Sequence, residues 1–97
     1  MIKSIAILGS TGSIGKTLLK LLDQDKKNFK IILLASNNSH ISLLKQAKKF
    51  NVKNLIITNQ KKYLILKKKT INTNIKVYND FNSFNKIFKT KVDYTMS

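Results

Sequence analysis

The chain has 97 residues, with 19 lysines set against four aspartates, one histidine and no cysteine. That length bounds it to one small domain or a piece of a larger one. Zero cysteines exclude a disulfide scaffold, a thiol nucleophile and any Cys-ligated zinc or iron–sulfur site.

No apolar run reaches the roughly 18 residues needed to cross a bilayer. The opening Met1-Ile2-Lys3-Ser4 leads straight into strand-like sequence without a cleavable apolar segment, so a cytoplasmic location is expected. The net charge of +15 invites a nucleic-acid reading. Its make-up argues otherwise. Every cation is Lys, there is no Arg and no Glu, and Lys, Asn and Ile dominate, a profile of A+T-rich coding. A phosphodiester site normally draws on the bidentate Arg fork, which Lys cannot supply. The excess charge is therefore expected on a solvated surface.

Ile5-Ala6-Ile7-Leu8 is a short apolar run ending at glycine, as in a buried parallel strand. From Ile14 the period changes, and Ile14, Leu18, Leu21 and Leu22 fall on one helical face. Residues 29–35 give a second strand. Leu43, Leu44, Ala47 and Phe50 make the next helical stripe, opposite Lys45, Lys48 and Lys49. Leu55-Ile56-Ile57 reads as a third strand, and residues 63–66 start a short, weakly patterned helix running into Lys67-Lys68-Lys69. Ile75 and Val77 suggest a fourth strand, Asp80 an N-cap, and Phe81, Phe84, Ile87 and Phe88 the core stripe of a fourth helix. Residues 92–96 read as a fifth strand. Five strands alternating with four helices predict an α/β fold with a doubly wound parallel sheet. A last strand that stops at its C-terminal edge, where open parallel sheets bind ligands, gives the expectation of an incomplete enzyme.

All three glycines lie in Gly9-Ser10-Thr11-Gly12-Ser13-Ile14-Gly15, between the first strand and the first helix. This G-x-x-G-x-x-G spacing is a variant of the Rossmann dinucleotide fingerprint. Gly9 should permit the sharp exit from the strand, Gly12 the approach of a pyrophosphate, and Gly15 close helix–sheet packing. Backbone N–H groups of Thr11, Gly12, Ser13 and Ile14 are expected to face an anion at the positive end of the helix dipole, with hydroxyls of Ser10, Thr11 and Ser13 assisting. No Gly-Lys-Ser/Thr closes the loop, so it is not a P-loop.

After the second strand comes Ala35-Ser36-Asn37-Asn38-Ser39-His40, which lacks the acid that binds a ribose 2′-hydroxyl in NAD sites. NADP is therefore favoured, with Asn37, Asn38 and Ser39 as donors. The competing reading is a turn in which Asn38 or Ser39 caps the next helix. His40 is read as incidental. The four aspartates are too scattered to build a metal site.

The run Ile5-Ala6-Ile7-Leu8-Gly9-Ser10-Thr11-Gly12-Ser13-Ile14-Gly15 closely resembles the amino-terminal motif of the 1-deoxy-D-xylulose 5-phosphate reductoisomerase family. Phe29, Gln46-Ala47-Lys48-Lys49-Phe50 and Val92-Asp93-Tyr94-Thr95-Met96-Ser97 agree with it. The resemblance covers the whole chain, residues 1–97, as the front part of an NADPH-binding Rossmann-like domain. It implies NADPH, a divalent metal (Mg²⁺ or Mn²⁺), a homodimer, and rearrangement plus reduction of 1-deoxy-D-xylulose 5-phosphate to 2-C-methyl-D-erythritol 4-phosphate. Carried over, Thr11, Gly12, Ser13 and Ile14 match the backbone that holds the cofactor. The family's second contact, typically Gly, then Lys or Arg, then Asn, reads Asn37, Asn38 and Ser39 here, and Asn37 can adopt the left-handed conformation that glycine would. The metal ligands, catalytic residues and C-terminal domain are expected beyond Ser97, so no catalysis is expected of this chain alone. Two alternatives stay open: a basic nucleic-acid-binding module, and the front end of another NAD(P)-dependent dehydrogenase, of homoserine or aspartate-semialdehyde type.

Overall fold

Apolar periods that switch between two and 3.6 residues produce strands and helices in alternation from the first residues onward. The computed structural model describes residues 2–82, 84, 85 and 92–96. Its strands are β1 (Lys3–Leu8), β2 (Phe29–Ser36), β3 (Asn54–Ile57), β4 (Lys76–Tyr78) and β5 (Tyr94–Met96). Its helices are α1 (Ser13–Asp23), α2 (His40–Lys49) and α3 (Gln60–Lys69), following β1, β2 and β3.

All strand pairs are parallel, and the sheet order is β4-β3-β2-β1-β5. The chain steps outward from β1 to β4, then returns to the far side of β1. That reversal places the switch point of the sheet at the β1/β5 junction, where Ile7 pairs with Met96. Crevices outside the carboxyl ends of strands at such a point are where open α/β sheets take ligands.

Both faces of the sheet are buried, which is why β1 reads as a continuous apolar run. Ile5, Ile7, Leu34, Leu55 and Ile57 pack on one face against Leu19 of α1, Leu43 and Ala47 of α2 and Leu66 of α3. Ala6, Leu33, Ala35 and Ile56 face the other way, against Phe84 from the β4–β5 connection. The predicted parallel α/β sheet of five strands is the observed one. Of the expected fourth helix, Ile87 and Phe88 lie outside the described residues, while Phe84 is buried and Phe81 is 39% exposed.

The face that α1 buries differs from the expected stripe. Ile14 and Leu21 are 70% and 57% exposed, whereas Gly15 and Leu19 are buried and Leu18 and Leu22 half-buried. The cause is Gly15, whose backbone lies so close to residues 9 and 10 that it sets the rotation of the helix. Its packing turns Leu19 rather than Leu21 toward the sheet.

The β1/β2 register also slips. Ile5 pairs with Ile31 but Ala6 with Leu33, leaving Ile32 as an extra residue in β2. The Asn54 side chain donates to the Ile32 carbonyl at 3.0 Å, satisfying a backbone acceptor at the irregularity. The α3 helix is longer than its weak pattern predicts. Asn59 caps it by accepting from the Lys62 N–H at 3.1 Å, and Lys67, Lys68 and Lys69 occupy its last turn, where cations suit the dipole.

Candidate functional site

The β1–α1 loop leaves the sheet at its C-terminal edge. Gly9 takes φ +73°, a left-handed conformation that L side chains rarely adopt. A Cβ on Gly15 would stand 2.4 Å from the Gly9 carbonyl oxygen and 2.6 Å from the Ser10 Cα, so glycine there is a packing requirement. Gly12 is different. A Cβ on it would meet only the Gly9 oxygen at 3.5 Å, an ordinary contact, and the residue is exposed with φ −78°. The folded chain has no need of glycine at position 12.

The donors sort themselves in a way the sequence did not reveal. The Gly12 N–H, expected to be available, donates to the Gly9 carbonyl at 3.1 Å and closes the turn. The Gly9 and Ser10 N–H groups both donate to the Ala35 carbonyl, at 2.8 and 3.0 Å. The N–H groups of Thr11, Ser13 and Ile14 have no acceptor among the described residues and stand at the start of α1. That helix has 11 residues and no acid in its first turn, so its positive end is uncompensated.

The hydroxyls need a similar correction. The Ser10 hydroxyl is buried and donates to Gln46 Oε1 at 2.8 Å, and the Thr11 hydroxyl lies 3.0 Å from that of Ser36. Neither is spare. The exposed Ser13 hydroxyl, unlike the other two, has no bond to another of the described residues.

The fold brings the second predicted segment to the same edge, because Leu8 pairs with Ala35 and the two strands end side by side. The Thr11–Ser36 contact joins the two loops directly. Asn37 does not take the left-handed conformation, since Asn51 is the one non-glycine residue with positive φ among those described. It is instead held to the end of β3: its Oδ1 accepts from the Thr58 hydroxyl at 2.7 Å, and its carbonyl accepts from the Asn59 N–H at 2.8 Å. These two bonds define the backbone there without a left-handed residue. Ser39 occupies the N-cap position of α2, but its side chain makes no cap bond. The Asn38 side chain is exposed and has no partner among the described residues, so both remain available as donors. His40 simply opens α2.

Sequence reasoning missed Ser36, Thr58 and the bonds of Gln46 as parts of this site. Their contacts span 25, 21 and 36 residues, and no local pattern announces them.

The family profile for 1-deoxy-D-xylulose 5-phosphate reductoisomerase matches residues 5–97. The reductoisomerase of Pelagibacter ubique is 54% identical over 96 residues, which is 97% of this chain and 25% of that protein. That of Phocaeicola vulgatus is 36% identical over 94% of this chain and 24% of its own length. Among solved structures, the Zymomonas mobilis reductoisomerase in complex with NADPH superposes with a TM-score of 0.85 at 24% identity, over 98% of this chain and 25% of that one. A reductoisomerase complex with NADPH, fosmidomycin and magnesium gives 0.86 at 25% identity, over 97% of this chain and 24% of its own. The chain thus spans about a quarter of the length of the relatives it matches. With a profile match over residues 5–97 and a relative 54% identical over 97% of its length, this chain belongs to the 1-deoxy-D-xylulose 5-phosphate reductoisomerase family.

Proposed function

We propose that this chain is the NADPH-binding portion of a reductoisomerase that rearranges 1-deoxy-D-xylulose 5-phosphate and reduces the product to 2-C-methyl-D-erythritol 4-phosphate in isoprenoid biosynthesis. The observation that carries the reading is Gly12. The fold does not require its missing side chain, and the space a Cβ would take lies beside unpaired N–H groups at a helix N-terminus. A dinucleotide pyrophosphate needs both features.

In this reading Thr11, Ser13 and Ile14 donate backbone N–H bonds to the pyrophosphate, Gly12 leaves it room, and the Ser13 hydroxyl adds a donor. Asn38 and Ser39 face the adenosine ribose and its 2′-phosphate, while Asn37 braces their loop. NADPH, when bound, supplies the hydride for the reduction. The residues of this chain bind and orient it.

The relatives' solved complexes hold magnesium as well as NADPH. In this reading the divalent metal, the catalytic residues and a homodimer contact belong to the part of the reductoisomerases that this chain does not span. A cytoplasmic location goes with that activity, and no helix among the described residues is long and apolar enough to cross a membrane.

Titration of NADPH fluorescence at low salt tests the reading. Saturable binding is expected, and Gly12→Asp should abolish it by placing a carboxylate against the pyrophosphate. No saturable binding, or binding indifferent to Gly12→Asp, would overturn it.

A further inference from the structure

We propose that Gln46, on α2, is a positioning residue for the cofactor loop, acting through Ser10; the proposal rests on the reading of that loop as a phosphate cradle. Gln46 touches Ser10 with both ends of its carboxamide. Oε1 accepts from the Ser10 hydroxyl at 2.8 Å, and Nε2 donates to the Ser10 carbonyl at 2.9 Å. The Ser10 N–H donates to Ala35 at 3.0 Å. Every polar group of this wholly buried residue is therefore committed to α2 or β2.

Gly15 of α1 presses on the same residue from another side, with its missing Cβ 2.6 Å from the Ser10 Cα. Ser10 is thus gripped by all the elements that meet at the loop. The Thr11 N–H, the first of the unpaired donors, lies one residue further on. Any drift of Ser10 passes directly into the direction in which that donor points.

The chemistry of position 46 is restrictive. A carboxamide offers one acceptor and one donor in a fixed plane, as this contact uses. Glutamate could accept from the hydroxyl but would set a negative charge against a carbonyl oxygen. Leucine would fill the space and bond neither group. An apolar pair at positions 10 and 46 would remove the buried hydroxyl and carboxamide and leave only the carbonyl of residue 10 without its donor. Two polar partners locked in one geometry instead give the loop a single orientation before ligand arrives, which spares the ordering cost on binding.

The test compares the wild-type chain with Gln46→Leu, Gln46→Glu and the double variant Ser10→Ala/Gln46→Leu. Three quantities are measured: NADPH affinity by fluorescence, thermal stability, and amide exchange at Ser10 and Gly12 relative to core amides of β1 and β2. Both single variants should weaken NADPH binding at least tenfold and speed loop exchange at least tenfold over the core. The double variant, relieved of the unpaired hydroxyl but not of the unpaired carbonyl, should regain part of its stability without regaining affinity. A Gln46→Leu chain with wild-type affinity and loop exchange overturns the proposal, as does a double variant whose affinity returns with its stability. If the wild-type chain binds no NADPH, the cofactor reading fails by itself. The exchange comparison then decides whether Gln46 orders the loop, and unchanged loop exchange in Gln46→Leu rejects it.

Discussion

The three glycines of the β1–α1 loop are present for three separable reasons, and substitution distinguishes them. Gly9→Ala forces a left-handed residue to carry a Cβ and should cost about 1–2 kcal/mol of stability. Gly15→Ala drives a methyl group into the backbone of residues 9 and 10, with about 2–3 kcal/mol lost as the helix is pushed away. Gly12→Ala meets only an ordinary contact and should change stability by less than about 0.5 kcal/mol while weakening NADPH binding. Urea denaturation beside an NADPH titration reads all three, and a Gly12→Ala chain that binds NADPH like wild type would contradict the cradle. At the second loop the exposed Asn38 stands where the family pattern carries a cation. Restoring one with Asn38→Arg should raise affinity for NADPH about tenfold and leave NADH unchanged, since only NADPH has a 2′-phosphate for the guanidinium to grip.

Elements hold their places here through a few polar side chains set at irregularities. Asn54 reaches across from β3 to the Ile32 carbonyl where β2 carries an extra residue. Replacing it with Leu leaves that acceptor without its partner and should cost about 1–3 kcal/mol. Asn59 caps α3, the helix with the weakest amphipathic pattern, and Asn59→Ala should cost about 1 kcal/mol. Circular dichroism melts of the two variants check both values, and their distant positions predict additive losses in the double variant. Asp93 plays a comparable part at the switch point. Its carboxylate accepts from the Ser4 N–H at 2.7 Å while its own N–H donates to the Ser4 carbonyl at 2.8 Å, so β5 enters the sheet in register with β1.

For the molecule as a whole, a net charge of +15 on 97 residues acts in two directions. Mutual repulsion among lysines opposes the compact state, whereas an anionic dinucleotide is attracted to it. Raising salt from about 10 to 150 mM shortens the Debye length from roughly 30 to 8 Å. Stability should therefore rise over that range while NADPH affinity falls. The residual affinity at high salt should still depend on Gly12, because hydrogen bonds at the loop persist after the long-range field is screened. Polyanion binding that falls more steeply with salt and ignores Gly12→Asp would mark the nucleic-acid alternative instead.

The sequence by itself determined the parallel α/β class, the order of the five strands and first three helices, and the location of the glycine loop. Those properties are written in local terms: apolar runs of four to eight residues, a change of period at Ile14, and three glycines in a single turn. It also determined the family, through a contiguous motif. Tertiary structure decided which face α1 buries, because the rotation of that helix depends on how closely Gly15 packs against residues 9 and 10. It decided which donors stay free, since the Gly12 N–H is spent on Gly9 and the hydroxyls of Ser10 and Thr11 on Gln46 and Ser36. It also decided that Asn37 does not use the left-handed conformation open to it, because its backbone is held by Thr58 and Asn59. Apart from the local turn bond from Gly12 to Gly9, these outcomes depend on a partner 21 to 36 residues away or on a close approach of backbones, and neither leaves a periodic trace along the chain.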